Sequence, residues 1–184
     1  MKSERTWEGS KAAVRRAGAR VGSADFFTSD IERAGSKKAQ SIWQLIAAAK
    51  ALSHNSKINN NRLAILTNGG GPGVMATDRA ADLGVKMPDI SQDSMQKFNA
   101  FLPEHWSHGN PIDILRDPTG QRYTQALDVC QKDNQYDGIL ILLTPQVMSD
   151  PSGIARAIIE YTQKPENCKP IFTAWLGESL VSEA

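Results

Sequence analysis

The stretch LAILTNGGGPGVMATD, residues 63–78, decides the fold class of this chain. Its apolar start, residues 63–67, is typical of a buried strand, and four glycines and a proline follow within positions 69–73. Small and apolar residues then recur at helical spacing up to Gly84, and glycine often ends a helix. A strand, a glycine-rich turn and a helix in this order are typical of an α/β domain.

Four more strands are predicted downstream, at residues 85–87, 111–115, 138–144 and 169–177. Predicted helices separate them, at residues 91–102, 119–133 and 151–163. The run GILILLT at 138–144 is the most apolar in the chain, which is typical of a central parallel strand covered on both faces. Because helices connect the strands, we predict a five-stranded parallel, flavodoxin-like (doubly wound) α/β sheet with strand order 2-1-3-4-5.

The chain ahead of the sheet is predicted to be an N-terminal helical extension. Residues 36–52 have the pattern of a strong helix, and the polar run at 53–61 is typical of a linker. We therefore assign residues 1–60 to the extension and linker, and residues 61–184 to the sheet domain. Since a packing helix should follow the last strand, we expect this domain to be truncated at its C-terminus.

Composition argues against several classes of protein. The formal net charge is +1 and no apolar run approaches the length of a membrane span, so we expect no nucleic-acid or membrane partner and a cytoplasmic location. The two cysteines form no CxxC pattern. Residues 1–62 carry twelve Lys and Arg against five Asp and Glu. This basic part is either a solvated segment or a surface that faces an anionic ligand or the acidic remainder of the chain.

The glycine turn is the first candidate binding site. Glycines at 69, 70, 71 and 73 leave the backbone largely free of side chains, at the carboxyl edge of the sheet where ligands bind. The helix that follows presents free N–H groups and a positive dipole end. We therefore predict that Gly69, Gly70, Gly71 and Gly73 bind a phosphate, a pyrophosphate or a phosphorylated side chain, with Asn68 adding its amide. The alternative is a tight turn that binds nothing.

Two other kinds of site match the residues less well. The run GPGVMA at 71–76 fits the dinucleotide fingerprint, with Asp89 near the ribose-binding position, but Pro72 stiffens the turn. No lysine follows the glycines, which excludes a Walker A loop. His105 and His108 lie three residues apart with no firm third ligand, so we predict no metal site.

Polar residues near two other predicted strands extend the candidate site. His108 and Asn110 belong to the run HWSHGNPIDI at 105–114 and could offer donors to a ligand, or they could form a structural turn. Thr144 ends the central strand at the edge where ligands collect. We therefore add His108, Asn110 and Thr144 to the predicted phosphate or ligand site.

Four motifs carry a resemblance to a known family: NRLAILTNGGGPGVMATDRAADLG (61–84), LPEHWSHGNPIDIL (102–115), DGILILLTPQ (137–146) and KPIFTAWLGE (169–178). They resemble the fused NDP-forming acyl-CoA synthetases and the large bacterial protein lysine acetyltransferases that carry the same module. The resemblance implies a succinyl-CoA-ligase-like, flavodoxin-like domain at 61–184. It also implies neighbouring CoA-binding, ATP-grasp and, in the second class, acetyltransferase domains.

The resemblance also raises a departure at Arg16. In the synthetases the preceding ligase domain ends in a loop whose histidine is phosphorylated, and residues 15–35 can be aligned with that loop without a gap. Arg16 then falls where the histidine should be. A guanidinium stays protonated and cannot carry a phosphoryl group, although it can bind a phosphate. Residues 1–60 are accordingly interpreted as the C-terminal remnant of a ligase-type domain with no catalytic residue.

These features lead to a functional hypothesis with alternatives. We expect a non-catalytic, regulatory module of a bacterial protein lysine acetyltransferase that binds acyl-CoA or a nucleotide. The parent protein would use acetyl-CoA or CoA and ATP or ADP. The first alternative is part of an active ADP-forming acetyl- or acyl-CoA synthetase. The second is a free-standing nucleotide-binding or interaction protein.

Overall fold

The computed structural model describes residues 33, 39, 41–53, 58, 60–165, 169–177 and 181. The chain divides into two compact units, Met1–Ser56 and Lys57–Ala184. In the first unit, helix α1 spans Ile42–Ser53 and buries none of its residues. Among the residues described, no helix is both long and apolar enough to cross a membrane.

The second unit is an α/β fold built on one parallel sheet. Its elements are β1 (Leu63–Thr67), α2 (Gly70–Asp82), α3 (Gln92–Phe101), β2 (Ile112–Asp113), α4 (Gly120–Lys132), β3 (Gly138–Leu143), α5 (Pro151–Thr162) and β4 (Ile171–Trp175). The strands lie in the order β2-β1-β3-β4, and every pair is parallel. The predicted fold class is therefore confirmed, but the described sheet has four strands instead of five.

The missing strand is the short one predicted at 85–87. It forms only one isolated parallel bridge, in which Lys86 pairs with Arg62. The Leu63 N–H donates to the Lys86 carbonyl at 2.9 Å, and the Lys86 N–H donates to the Asn61 carbonyl at 2.8 Å. Pro88 has no N–H to donate, so this ladder cannot continue.

The strand order also corrects the prediction. We expected residues 111–115 to lie between the first strand and the central one, but β2 occupies the outer edge of β1 and β3 takes the other side. Because the segment 85–87 pairs only at the start of β1, the carboxyl end of that edge is left for another strand. There Leu66 and Thr67 pair with Ile112 and Asp113.

The core lies between the sheet and the helices α3, α4 and α5. On the face of the central strand β3 that belongs to this core, Ile139, Ile141 and Leu143 are completely buried, whereas on the opposite face Leu142 is buried and Leu140 is half-buried. Tyr123 of α4 and Phe98 of α3 are also fully buried and belong to the same cluster. This packing holds the carboxyl ends of β1 and β3 side by side, which positions the site described below.

An ion pair ties the start of β1 to the turn before β3. Arg62 Nε and one terminal nitrogen contact the two carboxylate oxygens of Asp137 at 2.7 and 2.8 Å, and Asn60 donates to the same carboxylate at 3.2 Å. The hydrogen bond from Arg62 is the main cause that holds the pKa of Asp137 well below its usual value of 3.8. A depressed carboxyl pKa means that the folded state favours the ionised group.

We therefore expect Asp137→Asn to lower the urea midpoint of unfolding at neutral pH. The pair contributes fully above the ordinary carboxyl pKa of 3.8, and its contribution is lost as the pH falls towards the lower pKa of the folded state. The difference in urea midpoint between wild type and variant should thus become smaller below the ordinary carboxyl pKa of 3.8. Asp128→Asn, which removes an exposed pair with Lys132, is the control and should change little. A difference for Asp137→Asn that does not vary with pH would contradict this prediction.

Candidate functional site

Helix α2 starts without a side-chain cap, unlike the other helices of the α/β unit. Its N-cap, Gly69, makes no side-chain hydrogen bond to the first turn. The helices α3, α4 and α5 are each capped by a side-chain oxygen that accepts from a first-turn N–H, those of Ser91, Thr119 and Asp150. The polar groups at the start of α2 are therefore left for another partner.

Two backbone amides at this terminus have no acceptor among the residues that the structure describes. The Gly69 N–H donates to the Thr67 hydroxyl at 3.1 Å, and the Gly73 N–H donates to the Gly69 carbonyl at 3.2 Å. Pro72 has no N–H. Within the described residues, the N–H groups of Gly70 and Gly71 find no acceptor, and both residues are exposed. Two free amides at the positive end of a helix form a site suited to an anion.

Close packing explains why two positions of the turn are glycine, and a third glycine faces open space. A Cβ on Gly69 would lie 2.9 Å from the Thr144 hydroxyl, and one on Gly73 would lie 3.1 Å from the Thr67 methyl group. Side chains at these positions would force the end of β1, or the residue after β3, to move. A Cβ on Gly71 would meet nothing within 4 Å. As far as the described residues show, the space in front of Gly71 is therefore open to a ligand.

Thr144 lies where the prediction placed it, beside the glycine turn. It follows β3 at the carboxyl edge, and its hydroxyl oxygen is buried with no hydrogen-bond partner among the described residues. A buried hydroxyl without a partner is unusual in folded proteins, because desolvation costs free energy that a hydrogen bond would offset. The structure thus places the Thr144 side chain against Gly69, the residue before the first turn of α2.

Asn68 is close to this site but its side chain points elsewhere. The residue is fully buried, and its amide donates to the Thr144 carbonyl at 2.8 Å. Its oxygen accepts from the Thr144 N–H at 2.8 Å and from the Tyr123 hydroxyl at 3.2 Å. Burial, and secondarily the Asp113 carboxylate, raise the pKa of Tyr123, which keeps this donor protonated. Asn68 therefore clamps the ends of β1 and β3 together, and its predicted contact with an anion has no support in this geometry.

Asn110 completes the edge of β1, between the segment 85–87 and β2. Its side-chain oxygen accepts from the Ile65 N–H at 3.0 Å, and its amide donates to the carbonyls of Leu63 and Pro88 at 2.8 and 3.1 Å. The side chain thus replaces the backbone of a missing strand residue. Both of its N–H donors are occupied, which leaves none for the predicted ligand.

Among the described residues, no contact joins His108 to the glycine turn. Its Nε2 lies 2.9 Å from the Glu104 carbonyl, and its ring lies 4.6 Å from that of Trp106. In the described part of the chain, no group of three His, Cys, Asp or Glu side chains could hold a metal ion. Arg16, the other predicted site position, lies outside the described residues.

Asp113 is a residue of the candidate site that was not predicted from the sequence. It ends β2, and its Oδ2 lies 3.3 Å from the position that a Cβ on Gly70 would take. Its other oxygen accepts from the Leu115 N–H at 2.9 Å. Its place at the carboxyl end of a strand was the available signal, because parallel strands end at one common edge.

The chain is similar in sequence and fold to several known proteins. Residues 63–184 match the model of a family described as the Ligase-CoA domain. This chain belongs to the Ligase-CoA domain family. Two curated relatives of this Ligase-CoA chain are ADP-forming acetate–CoA ligases. That of Archaeoglobus fulgidus is 33% identical over 159 residues, which are 86% of this chain and 23% of the relative.

The other relative is the alpha subunit of ADP-forming acetate–CoA ligase I from Pyrococcus furiosus. It is 28% identical over 184 residues, which cover 100% of this chain and 40% of the subunit. A solved structure, acetyl-coenzyme A synthetase 1 of Ca. Korarchaeum cryptofilum in complex with phosphate and ADP, matches with a TM-score of 0.91 and 31% identity. The match covers 100% of this chain and 39% of that one. The Ligase-CoA chain thus spans well under half the length of these relatives.

None of these three relatives is a protein lysine acetyltransferase. The part of the resemblance that points to the acyl-CoA synthetases is therefore confirmed as a family relationship. The part that points to the acetyltransferases has no support in these comparisons.

Proposed function

We propose that this chain is the Ligase-CoA part of an ADP-forming acyl-CoA synthetase and that its glycine turn binds the phosphoryl group in transit. Such an enzyme converts an acyl-CoA, ADP and phosphate into the free acid, CoA and ATP. The observation that carries the proposal is that the amides of Gly70 and Gly71, at the uncapped start of α2, find no acceptor among the described residues. This is the alternative among the hypotheses from the sequence, and the family relationship favours it.

The chemistry of the site suits a phosphoryl group held during transfer. Backbone amides at a helix terminus are already oriented, so they stabilise negative charge without reorganisation. A hydrogen bond to a charged group contributes about 1.5–3 kcal/mol, and two amides together hold an anion firmly. Gly70 and Gly71 would donate to phosphoryl oxygens, and the Thr144 hydroxyl, which lies against Gly69, is a further candidate donor.

The proposal assigns the remaining steps to other parts of a larger protein. The relatives are longer than this chain and act on CoA and adenine nucleotides by their names. We infer that CoA and ATP or ADP bind on CoA-binding and ATP-grasp domains, while this chain supplies the phosphoryl site between them. We infer that the covalent carrier of the phosphoryl group comes from another segment of the larger protein.

One sequence feature favours a second candidate. Arg16 falls where the resemblance implies a phosphorylated histidine, and an arginine cannot carry the group. A module that binds phosphate or nucleotide but no longer ligates would fit a regulatory role, as in the bacterial protein lysine acetyltransferases that the motifs resemble. Another domain of the parent protein would then transfer the acetyl groups.

A labelling experiment separates the two candidates. The complete protein that contains this sequence is incubated with ATP labelled at the γ-phosphate, together with CoA and acetate. An active synthetase should form an acid-labile phosphoenzyme and acetyl-CoA. Absence of both, with phosphate still bound by the 184-residue chain in equilibrium dialysis, would favour the regulatory module. Absence of phosphate binding as well would contradict the proposed site itself.

A further inference from the structure

An acidic side chain stands directly beside the proposed anion site. The Asp113 Oδ2 lies 3.3 Å from the position of a Cβ on Gly70, the first residue of α2. Asp113 is half-buried, and its Oδ1 is occupied by the Leu115 N–H at 2.9 Å. The Oδ2 accepts no hydrogen bond within the described residues. A carboxylate is therefore fixed in place, with one oxygen turned towards the start of the helix.

A carboxylate at this place restricts which anions can bind. An ionised carboxylate only accepts hydrogen bonds, and the same is true of an oxyanion that carries no proton. Two such groups in close contact repel each other, and the repulsion is stronger in a partly buried site than in water. An anion that carries a proton on one oxygen avoids this repulsion, because that O–H donates to the carboxylate.

The ligand must also satisfy the donors that surround it. The amides of Gly70 and Gly71 donate, and the Thr144 hydroxyl is a buried group without a described partner that can donate or accept. A tetrahedral oxyanion with one protonated oxygen matches the amides and the carboxylate: its bare oxygens accept from the amides, and its O–H donates to Asp113. Hydrogenphosphate has this pattern near neutral pH, whereas sulfate has no proton to donate.

We propose that Asp113 is a specificity-determining residue that makes this site select protonated oxyanions, of the phosphate type, over unprotonated ones such as sulfate. The inference rests on the proposed function, since it concerns the same phosphate site. It also assigns a role to a side chain that the proposed phosphoryl binding does not require. The electrostatic attraction of the helix terminus alone would not distinguish two tetrahedral anions of similar size.

The test measures how anions compete for the 184-residue chain. Labelled phosphate is bound in equilibrium dialysis with a chelator present, and arsenate or sulfate is added as competitor. Arsenate, which carries a proton as phosphate does, should compete within about threefold of phosphate. Sulfate should need at least about a tenfold higher concentration, which corresponds to about 1.4 kcal/mol. Equal competition by sulfate would overturn the inference and leave the phosphate site intact.

Two variants locate the selectivity. Asp113→Asn keeps the oxygen that accepts from Leu115 and replaces the other with an amide donor, so sulfate should now compete within about threefold of phosphate. Asp78→Asn removes the same charge from an exposed position on α2 and should retain the selectivity of wild type. If Asp113→Asn still prefers phosphate over sulfate, the proposed role of Asp113 is contradicted. The role is also contradicted if phosphate binds only when Mg²⁺ is added. If no oxyanion binds to wild type, the proposed function itself fails. If Asp113→Asn does not fold, the competition of arsenate and sulfate with phosphate on wild type tests the inference by itself.

Discussion

Replacing Gly71 with valine should lower the affinity of the chain for phosphate by about a hundredfold or more. The side chain of a helical residue tilts towards the N-terminus of the helix, so the valine methyl groups would enter the space that the ligand needs. Losing two charge-assisted hydrogen bonds costs more than about 3 kcal/mol, which corresponds to over a hundredfold in affinity. The measurement is equilibrium dialysis with labelled phosphate on wild type and variant.

The fold should tolerate this change, which makes the result easy to interpret. A Cβ on Gly71 meets nothing within 4 Å, and valine is no worse than glycine within a helix. The matched control is Met75→Val, which places the same side chain further along α2 at a position that is 74% exposed. Thermal unfolding of both variants should resemble that of wild type. Undiminished phosphate binding by Gly71→Val would show that no ligand occupies the space in front of these amides.

Asn110→Ala is expected to have the opposite profile, with a large loss of stability and no loss of phosphate affinity. The substitution leaves the Ile65 N–H and the carbonyls of Leu63 and Pro88 without their partner. Each unsatisfied group costs about 1–3 kcal/mol, so we expect a total of about 3 kcal/mol, with some replacement by water. Urea unfolding followed by circular dichroism gives the free energy of unfolding.

The control for Asn110 is another asparagine with a simpler role. Asn61→Ala removes one exposed hydrogen bond, from the side chain to the Gly84 carbonyl at 2.8 Å, and should cost about 1 kcal/mol or less. Phosphate affinity is measured for each variant under conditions where it remains folded. A specific loss of phosphate affinity in Asn110→Ala, with stability unchanged, would restore the ligand-binding role predicted from the sequence and remove the structural one.

The sheet was predictable where strands are long and apolar, and it was not where pairing depends on single residues. The runs at β1 and β3 are apolar enough to identify as buried strands without any knowledge of their neighbours. The segment 85–87 looks like a strand by composition, but only Lys86 pairs. Whether so short a segment joins a sheet depends on what else competes for the same edge of β1, and a linear pattern does not contain that information.

The candidate site shows the same division. The glycine turn and Thr144 could be predicted, because residues after parallel strands meet at one edge of the sheet. Asn68 and Asn110 were assigned to a ligand, since the sequence identifies an amide near that edge without showing where it points. The folded chain directs both amides into backbone hydrogen bonds. Asp113 was missed as a neighbour of the turn because the position of β2 relative to α2 depends on the order of the strands.

By itself, the sequence determined the α/β class, the parallel sheet and a helix after β1, although it placed the start of that helix near Val74 and the structure places it at Gly70. These follow from local chemistry: apolar runs become buried strands, and glycine leaves amides uncovered. Only the tertiary structure decided that β2 lies at the outer edge, that Asn110 fills the gap there and that the Asp113 carboxylate faces the first turn of α2. The physical reason is that hydrogen-bond partners and charge proximity depend on which segments become neighbours in space. Which segments become neighbours is decided only when all the strands pair in the folded sheet.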